Sequence, residues 1–215
     1  MALTEQEVLS NKDEFITLLK SIKRENALIT ELIEKLENSD FFVAPASTKY
    51  HSNFEGGLCQ HSLNVYYNLL HLVEKKQGLD AACYDDDSLK IVGLLHDISK
   101  MNTYERYVKN NKVYKPDGKQ YDNLGRYEWI PSMEWKRKEK TFVYGSHECT
   151  SEFIVRQYIP LTLDESVAIL HHMGSMSWDS AKDNIGEVFN LYPLALMLYM
   201  ADMMSSYIDE GTRNE

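Results

Sequence analysis

The sequence predicts an all-α fold, a helical bundle with a small irregular or β-hairpin insertion. Apolar residues recur at helical spacing up to about residue 100 and again from residue 146. Residues 101–145 are instead rich in Tyr and Trp, show no sustained helical period, and contain the turn signal Lys-Pro-Asp-Gly. At 215 residues the chain suits one domain with a sizeable core. We therefore expect a single domain, residues 1–215, with residues 1–40 as a helical packing segment and residues 101–145 as the insertion.

Capping boxes, glycines and prolines place the elements in order. Thr4 with Glu7 and Thr162 with Glu165 each have the spacing of a capping box, which opens a helix. In the first half we predict a helix to about residue 37 with a break near residues 24–26, a loop over residues 41–57, a helix over residues 58–76 ending near Gly78, and a short apolar helix over residues 88–99. In the second half we predict helices over residues 146–160, 162–174 and 191–209, the last with Pro193 in its first turn.

Composition favours a cytoplasmic protein. The longest apolar stretch, near residues 191–200, is too short to span a bilayer, so no membrane association is expected. The N-terminal residues have neither the basic nor the apolar region of a secretory signal. Three cysteines without CxxC spacing argue against a disulfide framework and against a structural zinc knuckle.

The charge distribution favours a small anionic ligand over extended duplex nucleic acid. The net charge of −10 disfavours a protein that coats DNA or RNA, because such proteins neutralise phosphates with Lys and Arg. Residues 100–140 nevertheless contain eleven Lys or Arg and six Asp or Glu. This locally basic segment suits a phosphate-bearing ligand, although a solvated charged loop would have the same composition.

Four residues in the pattern His, His-Asp, Asp predict a metal site. His96 and Asp97 close an apolar run, and burying this pair is costly unless something satisfies it. His61 and Asp202 lie on apolar stripes of their predicted helices, so both face inward. Each residue alone could be a hydrogen-bonded core residue, but together they indicate a divalent metal ion. Nitrogen and oxygen donors suit Mn, Fe, Mg, Co, Ni or Zn and do not distinguish among them.

The sequence motifs that contain these residues resemble those of the HD-domain superfamily of metal-dependent phosphohydrolases. The resemblance covers about residues 45–209 and rests on Gly-Gly-Leu-Cys-Gln-His-Ser-Leu at residues 56–63, Gly-Leu-Leu-His-Asp-Ile-Ser-Lys at residues 93–100, and Ala-Asp at residues 201–202. The first stretch is most similar to the HD domains of bacterial 3′-5′ exoribonucleases and of relaxase-associated HD proteins. The resemblance implies an all-helical core with one or two metal ions, where a metal-bound water or hydroxide attacks phosphorus.

The resemblance also implies roles for further residues. The predicted metal ligands are His61, His96, Asp97 and Asp202 for a first ion, and His147 and His172 for a second. His172 is preferred because its Ile-Leu-x-His-x-Gly context is similar to the exoribonuclease-like HD domains, while His171 could orient a ligand or bind substrate. Alternatively, these later histidines only pack or hydrogen-bond near helix ends. His51 falls where related HD domains often carry a histidine, which suggests a substrate contact.

Asp97 and Lys100 are the candidate catalytic residues. Lys100 lies one helical turn after Asp97, where it could bind the substrate phosphate as a point charge. It could equally be an exposed lysine that the helix dipole favours. The insertion supplies candidates for stacking on a base or covering the site, unless it is only an aromatic packing element: Tyr104, Arg106, Tyr107, Trp129 and Trp135.

We therefore expect a stand-alone phosphohydrolase that acts on a small phosphorylated substrate, most readily a nucleotide. No Gly-Tyr-Pro signature follows the histidine pair, which disfavours the cyclic-di-GMP phosphodiesterases of the superfamily. We expect no upstream nucleic-acid-binding β-domain like that of the exoribonucleases, which weakens the case for processive RNA degradation. Two alternatives stay open, a non-catalytic module that senses a nucleotide and an oligonucleotide 3′-exonuclease that acts with a partner. The sequence leaves the oligomeric state undetermined.

Overall fold

The computed structural model describes residues 3–75, 84–142, 145–176 and 184–211. Most of these residues are helical. The α-helices are α1 Glu5–Lys20, α2 Ile29–Glu37, α3 Gly57–Lys75, α4 Asp86–Leu95, α5 His147–Arg156, α6 Leu163–Leu170, α7 Ile185–Leu191 and α8 Pro193–Met204. Short 3₁₀ turns, Ile98–Lys100 and Gly174–Met176, follow α4 and α6, and a π-helical turn, Ser205–Asp209, follows α8.

A three-stranded antiparallel sheet shows that the all-α prediction is wrong. Its strands are β1 Tyr104–Tyr114, β2 Gln120–Asp122 and β3 Gly125–Arg137, in the order β1-β3-β2. With 53% helix and 14% strand the fold is mixed, although mostly helical. The insertion exceeds a small hairpin because β1 and β3 pair along their whole shared length. Both strands are rich in Tyr, Trp, Val and Ile, which favour a pleated, half-buried surface.

The two faces of this sheet differ in chemistry. Residues at alternate positions of a strand point to the same face, and one face carries ion pairs such as Lys109 with Glu134 at 3.0 Å. The opposite face carries aromatic and apolar side chains, among them Trp129, which is 50% exposed. On that face the Arg106 guanidinium lies 4.7 Å from the Trp135 ring centroid.

The helices pack around one apolar core, with α3 in contact with α1, α4 and α8. The largest fully buried side chains include Phe15, Leu19, Leu32, Leu36, Phe41, Leu58, Leu69, Ile91, Leu94, Leu95 and Ile98. Helices α3 and α4 approach closely at Gly93, where an added Cβ would lie 2.8 Å from the Tyr66 Cα. A side chain would not fit there, so glycine sets the spacing between the two helices. This spacing places the end of α4 beside the middle of α3.

Several helix boundaries differ from the predicted ones. Helix α4 stops at Leu95 rather than residue 99, so the His-Asp pair lies just beyond it. The break after α1 is wider than predicted, and Arg24 within it binds the buried Glu165 carboxylate at 2.5 Å. Helix α7 lies in a segment for which the sequence predicted no helix. The predicted last helix, residues 191–209, corresponds to α8 and the π-helical turn, with Pro193 at the first position of α8. The predicted end near Gly78 lies outside the described residues. No helix in the described ranges is long and apolar enough to cross a membrane.

Candidate metal centre

Five parts of the fold bring histidine and aspartate side chains together at one end of the bundle. His61 lies in α3, His147 is the first residue of α5, and Asp202 lies in α8. His96 caps the C-terminus of α4, with Asp97 next to it, and His172 follows α6 by two residues. All of these residues are buried except His147, whose side chain is 33% exposed. The fold therefore assembles the whole set of predicted ligands.

The first donor group surrounds the His61 ring. His61 Nε2 lies 3.3 Å from Asp202 Oδ1 and 3.6 Å from Asp97 Oδ2. His96 Nε2 lies 3.4 Å from His61 Nε2 and 3.5 Å from Asp97 Oδ2. Four donor atoms thus converge from helices α3 and α8 and from the turn after α4.

The second donor group shares Asp97 with the first. Asp97 Oδ1 lies 3.6 Å from His172 Nε2 and 3.8 Å from His147 Nε2. Across the part of the chain that the structure describes, neither Asp97 Oδ1 nor His172 Nε2 has a hydrogen-bond partner. Unpartnered buried polar atoms are costly, so two that face each other are compatible with a cation bound between them. Asp97 therefore offers one oxygen to each group.

Hydrogen bonds to the opposite ring nitrogens aim the histidines at this centre. The Nδ1 atoms of His96 and His172 lie 2.9 Å from the Gly93 carbonyl and 2.7 Å from the Ile169 carbonyl. Each carbonyl accepts only if Nδ1 carries the proton, which leaves Nε2 free to bind a metal. Such an arrangement is typical of histidines that bind metal ions.

Two glutamates that the sequence analysis did not identify complete the surroundings. Glu148 is buried, and its Oε2 lies 3.1 Å from His147 Nδ1. Glu210 follows the π-helical turn, and its Oε1 lies 3.1 Å from His61 Nδ1. A regular α-helix would turn residue 210 about 80° around its axis from Asp202. Helical periodicity therefore could not have identified Glu210. Glu148, in contrast, directly follows His147 and was visible in the sequence.

The charges of the centre favour the ionised carboxylates. Burial alone would raise the pKa of Asp97, but Lys100 and His96 hold it well below its ordinary value. Burial favours the neutral ring of His61, yet the hydrogen bonds that its ring donates to Asp202 and Glu210 raise its pKa to about 10. Burial lowers the pKa of His96 to about 3. A proton held on one histidine balances part of the negative charge of the carboxylates. A bound cation would balance that charge in the same way.

The donor set fits a metal ion. The groups His61-His96-Asp97, His96-His172-Asp202 and Asp97-His147-His172 each offer donor atoms within 4.8 Å of one another. Imidazole and carboxylate ligands suit the first-row divalent metals and Mg²⁺, so they leave the identity of the ion open. The buried His and Asp groups are thus compatible with a metal ion, as the sequence predicted.

A cavity of about 590 Å³ opens above the centre. His147 and Asp202 lie in its wall together with Lys100, whose Nζ is 2.6 Å from Asp97 Oδ2. Lys100 is therefore held at the centre by an ion pair instead of extending into solvent. Other residues in the wall include Tyr50, His51, Tyr104, Arg137, Phe142, Met173 and Tyr207.

Some of the predicted substrate contacts lie elsewhere. His171 caps α6, and its half-buried ring belongs to none of the donor groups found in the described residues. Arg106 and Trp135 lie over each other on the sheet, where Arg106 also binds Glu55 at 3.2 Å. Trp129 lies in β3, as Trp135 does, but toward the other end of the pairing with β1, where it is exposed. Only the base of the insertion therefore reaches the cavity.

Comparison of the chain with protein-family models, with curated proteins and with solved structures finds no match. The site must therefore be interpreted from its own geometry and chemistry.

Proposed function

We propose that this chain is a metal-dependent phosphohydrolase of the HD-domain type that acts on a small phosphorylated substrate, a nucleotide. The observation that carries the proposal is the sharing of Asp97 between two donor groups, of which Asp202 and His147 line a cavity. The His, His-Asp and Asp residues that carry the resemblance to HD domains converge there, which supports the same assignment. A buried site with only a structural role would not need an open cavity above it.

The proposed ligands divide into two sets. His61, His96, Asp97 and Asp202 would hold a first ion, and Asp97, His147 and His172 a second. Divalent ions in such a site lower the pKa of water and withdraw charge from phosphoryl oxygens. The carbonyls bonded to His96 and His172 keep the ring nitrogens oriented, and Asp97 fixes the distance between the two sets.

Residues of the cavity wall would bind the phosphorylated substrate. The side chains of Lys100 and Arg137 bring positive charge to the wall, and Arg137 can bind phosphate through two N–H groups. Tyr50, Tyr104 and Phe142 offer aromatic surface for a nucleobase. The volume of about 590 Å³ lies in the usual range for small-molecule sites. The positive charge and the aromatic surface of this wall together suit a nucleotide.

The test is hydrolysis by metal-depleted protein reloaded separately with Mn²⁺, Fe²⁺, Mg²⁺, Co²⁺, Ni²⁺ or Zn²⁺. The substrates are nucleoside mono-, di- and triphosphates, short oligonucleotides, and the p-nitrophenyl mono- and diesters of phosphate. We expect phosphate or nucleotide release with at least one metal, and none from the Asp97→Ala variant. Tight nucleotide binding without turnover under any condition would instead identify a sensor. Turnover of oligonucleotides alone would identify an exonuclease.

A further inference from the structure

Glu210 is held by three polar groups although its charge faces no lysine or arginine among the described residues. We propose that Glu210 is a positioning residue that holds His61 in the orientation and tautomer in which Nε2 binds metal. The proposal rests on the metal centre of the proposed function and extends it to a residue outside the ligand set. It assigns a purpose to the π-helical turn that carries Glu210.

The contacts of Glu210 immobilise its carboxylate. Ser52 Oγ donates to Oε2 at 2.6 Å, and Asn64 Nδ2 donates to Oε1 at 2.9 Å. His61 Nδ1 lies 3.1 Å from Oε1 and 3.2 Å from Oε2. Asn64 lies one turn after His61 in α3, and Ser52 belongs to the loop before that helix, with a left-handed φ of 44°. The loop before α3 and α3 itself therefore hold the carboxylate against one ring nitrogen.

This geometry determines which nitrogen of His61 is available. Carboxylate oxygens only accept hydrogen bonds, so Nδ1 must carry the proton in the contact with Glu210. Nε2 is the atom that faces Asp97, His96 and Asp202, and it would present its lone pair to a metal ion that displaces its proton. A carboxylate behind a metal-binding histidine raises the basicity of the ring and fixes its plane. His96 and His172 obtain the same support from backbone carbonyls, whereas His61 obtains it from Glu210.

A different interpretation would make His61 Nδ1, His51 and Glu210 a metal site of their own, since their donor atoms also lie within 4.8 Å of one another. The hydrogen bonds argue against this interpretation. Both oxygens of Glu210 already accept from Ser52 or Asn64, and Nδ1 cannot donate to a carboxylate while it binds a cation.

The π-helical turn is what brings Glu210 to His61. The Glu210 N–H donates to the Ser205 carbonyl five residues earlier, at 2.9 Å. Turns of this kind are rare and are found frequently at functional sites, because they change the rotation of the residues that follow. Here the extra residue moves the carboxylate from the α-helical position toward α3.

The test is metal affinity, which depends on no substrate. Metal-depleted wild type, Glu210→Ala, Glu210→Gln and the control Asp209→Asn are titrated with Co²⁺, and the visible absorption of the bound ion is recorded. Asp209 is the matched control because it lies in the same turn and binds Asn68 at 2.7 Å rather than His61. We expect Glu210→Ala to weaken binding about 10- to 100-fold, as losing such a support does elsewhere. Glu210→Gln should lose less Co²⁺ affinity, because its amide oxygen still accepts a hydrogen bond from Nδ1. The Co²⁺ affinity of Asp209→Asn should stay within about twofold of the wild-type value.

A second readout separates positioning from general support of the fold. In the Co²⁺ protein, proton NMR shows the ring N–H protons of bound histidines at strongly shifted positions. One of them should exchange with solvent much faster in Glu210→Ala than in wild type or Asp209→Asn. If Glu210→Ala unfolds at a lower temperature than the wild type in the presence of chelator, the Co²⁺ affinity and ring N–H exchange of Glu210→Gln are the test instead.

Equal Co²⁺ affinity and unchanged exchange in both Glu210 variants would overturn the inference while leaving the metal centre intact. Failure of the wild type to bind Co²⁺, Mn²⁺ or Zn²⁺ would instead remove the metal centre itself, and with it the proposed function.

Discussion

The adjacent residues His171 and His172 offer a matched pair for testing the second donor group. The His172 ring is fully buried, its Nε2 lies 3.6 Å from Asp97 Oδ1, and its centroid lies 5.0 Å from that of His96. His171 is partly exposed and contributes to none of the donor groups. We predict that His172→Ala loses metal and activity, whereas His171→Ala retains both.

The expected size of the loss follows from the number of donors. Removing His172 leaves the second group with Asp97 and His147, while the first group keeps all four of its donors. Two protein donors bind a divalent ion weakly in water, so metal content should fall from about two ions per chain to about one. Activity should fall at least about 100-fold if both ions act on the phosphoryl group.

The assay is equilibrium dialysis against Mn²⁺ followed by elemental analysis, with thermal unfolding in chelator as the control for folding. His171→Ala serves as the second control, because it changes the neighbouring residue at the same helix end. Equal metal loss in the two variants, or a larger loss in His171→Ala, would refute the assignment of His172.

Three further predictions concern stability and substrate binding. Arg24 binds the buried Glu165, and despite burial it helps to hold the pKa of that carboxyl below its ordinary value. Arg24→Met should therefore cost about 3 kcal/mol in urea unfolding at pH 7. The cost should shrink as the pH falls through the folded pKa of Glu165, because the lowered pKa stabilises the fold only while the carboxyl is ionised; a cost that is constant with pH would contradict this. Gly93→Ala should destabilise by about 1–3 kcal/mol and weaken metal binding, because the new Cβ meets the α3 backbone; melting with and without Mn²⁺ measures both effects. Arg137→Ala should raise the KM for a nucleotide about tenfold, whereas Trp129→Ala should leave it within about twofold, because only Arg137 lines the cavity; equal KM values for the two variants would show that Arg137 binds no substrate.

The sequence revealed those proposed ligands whose chemistry conflicts with their surroundings. His61 and Asp202 interrupt apolar stripes, and the His96-Asp97 pair ends an apolar run, so each could be recognised as a buried polar group that needs a partner. Local helix signals were equally clear, because a capping box acts within one turn. The box at Thr4 is confirmed, with reciprocal bonds to Glu7.

Long-range features could not be predicted in the same way. The position of Glu210 depends on a π-helical turn, which leaves no periodic signal in the sequence. The sheet was underestimated because β1 and β3 are separated by residues 115–124, and their pairing is decided by register rather than by either strand alone. Arg106 appeared as a candidate ligand contact because of its charge, but it binds Glu55 and covers Trp135.

The strand order of the sheet bears on how this chain avoids aggregation. β1 is an edge strand of 11 residues, and its backbone N–H and C=O groups on the outer side could pair with another chain. Lys109 and Lys112 are charged residues of this edge strand, in ion pairs with Glu134 and Asp122, and Pro131 removes a backbone donor from the part of β3 that β2 leaves uncovered. These residues disfavour fibrillar stacking of the ribbon, so a long exposed hairpin can persist beside a metal centre without recruiting further strands.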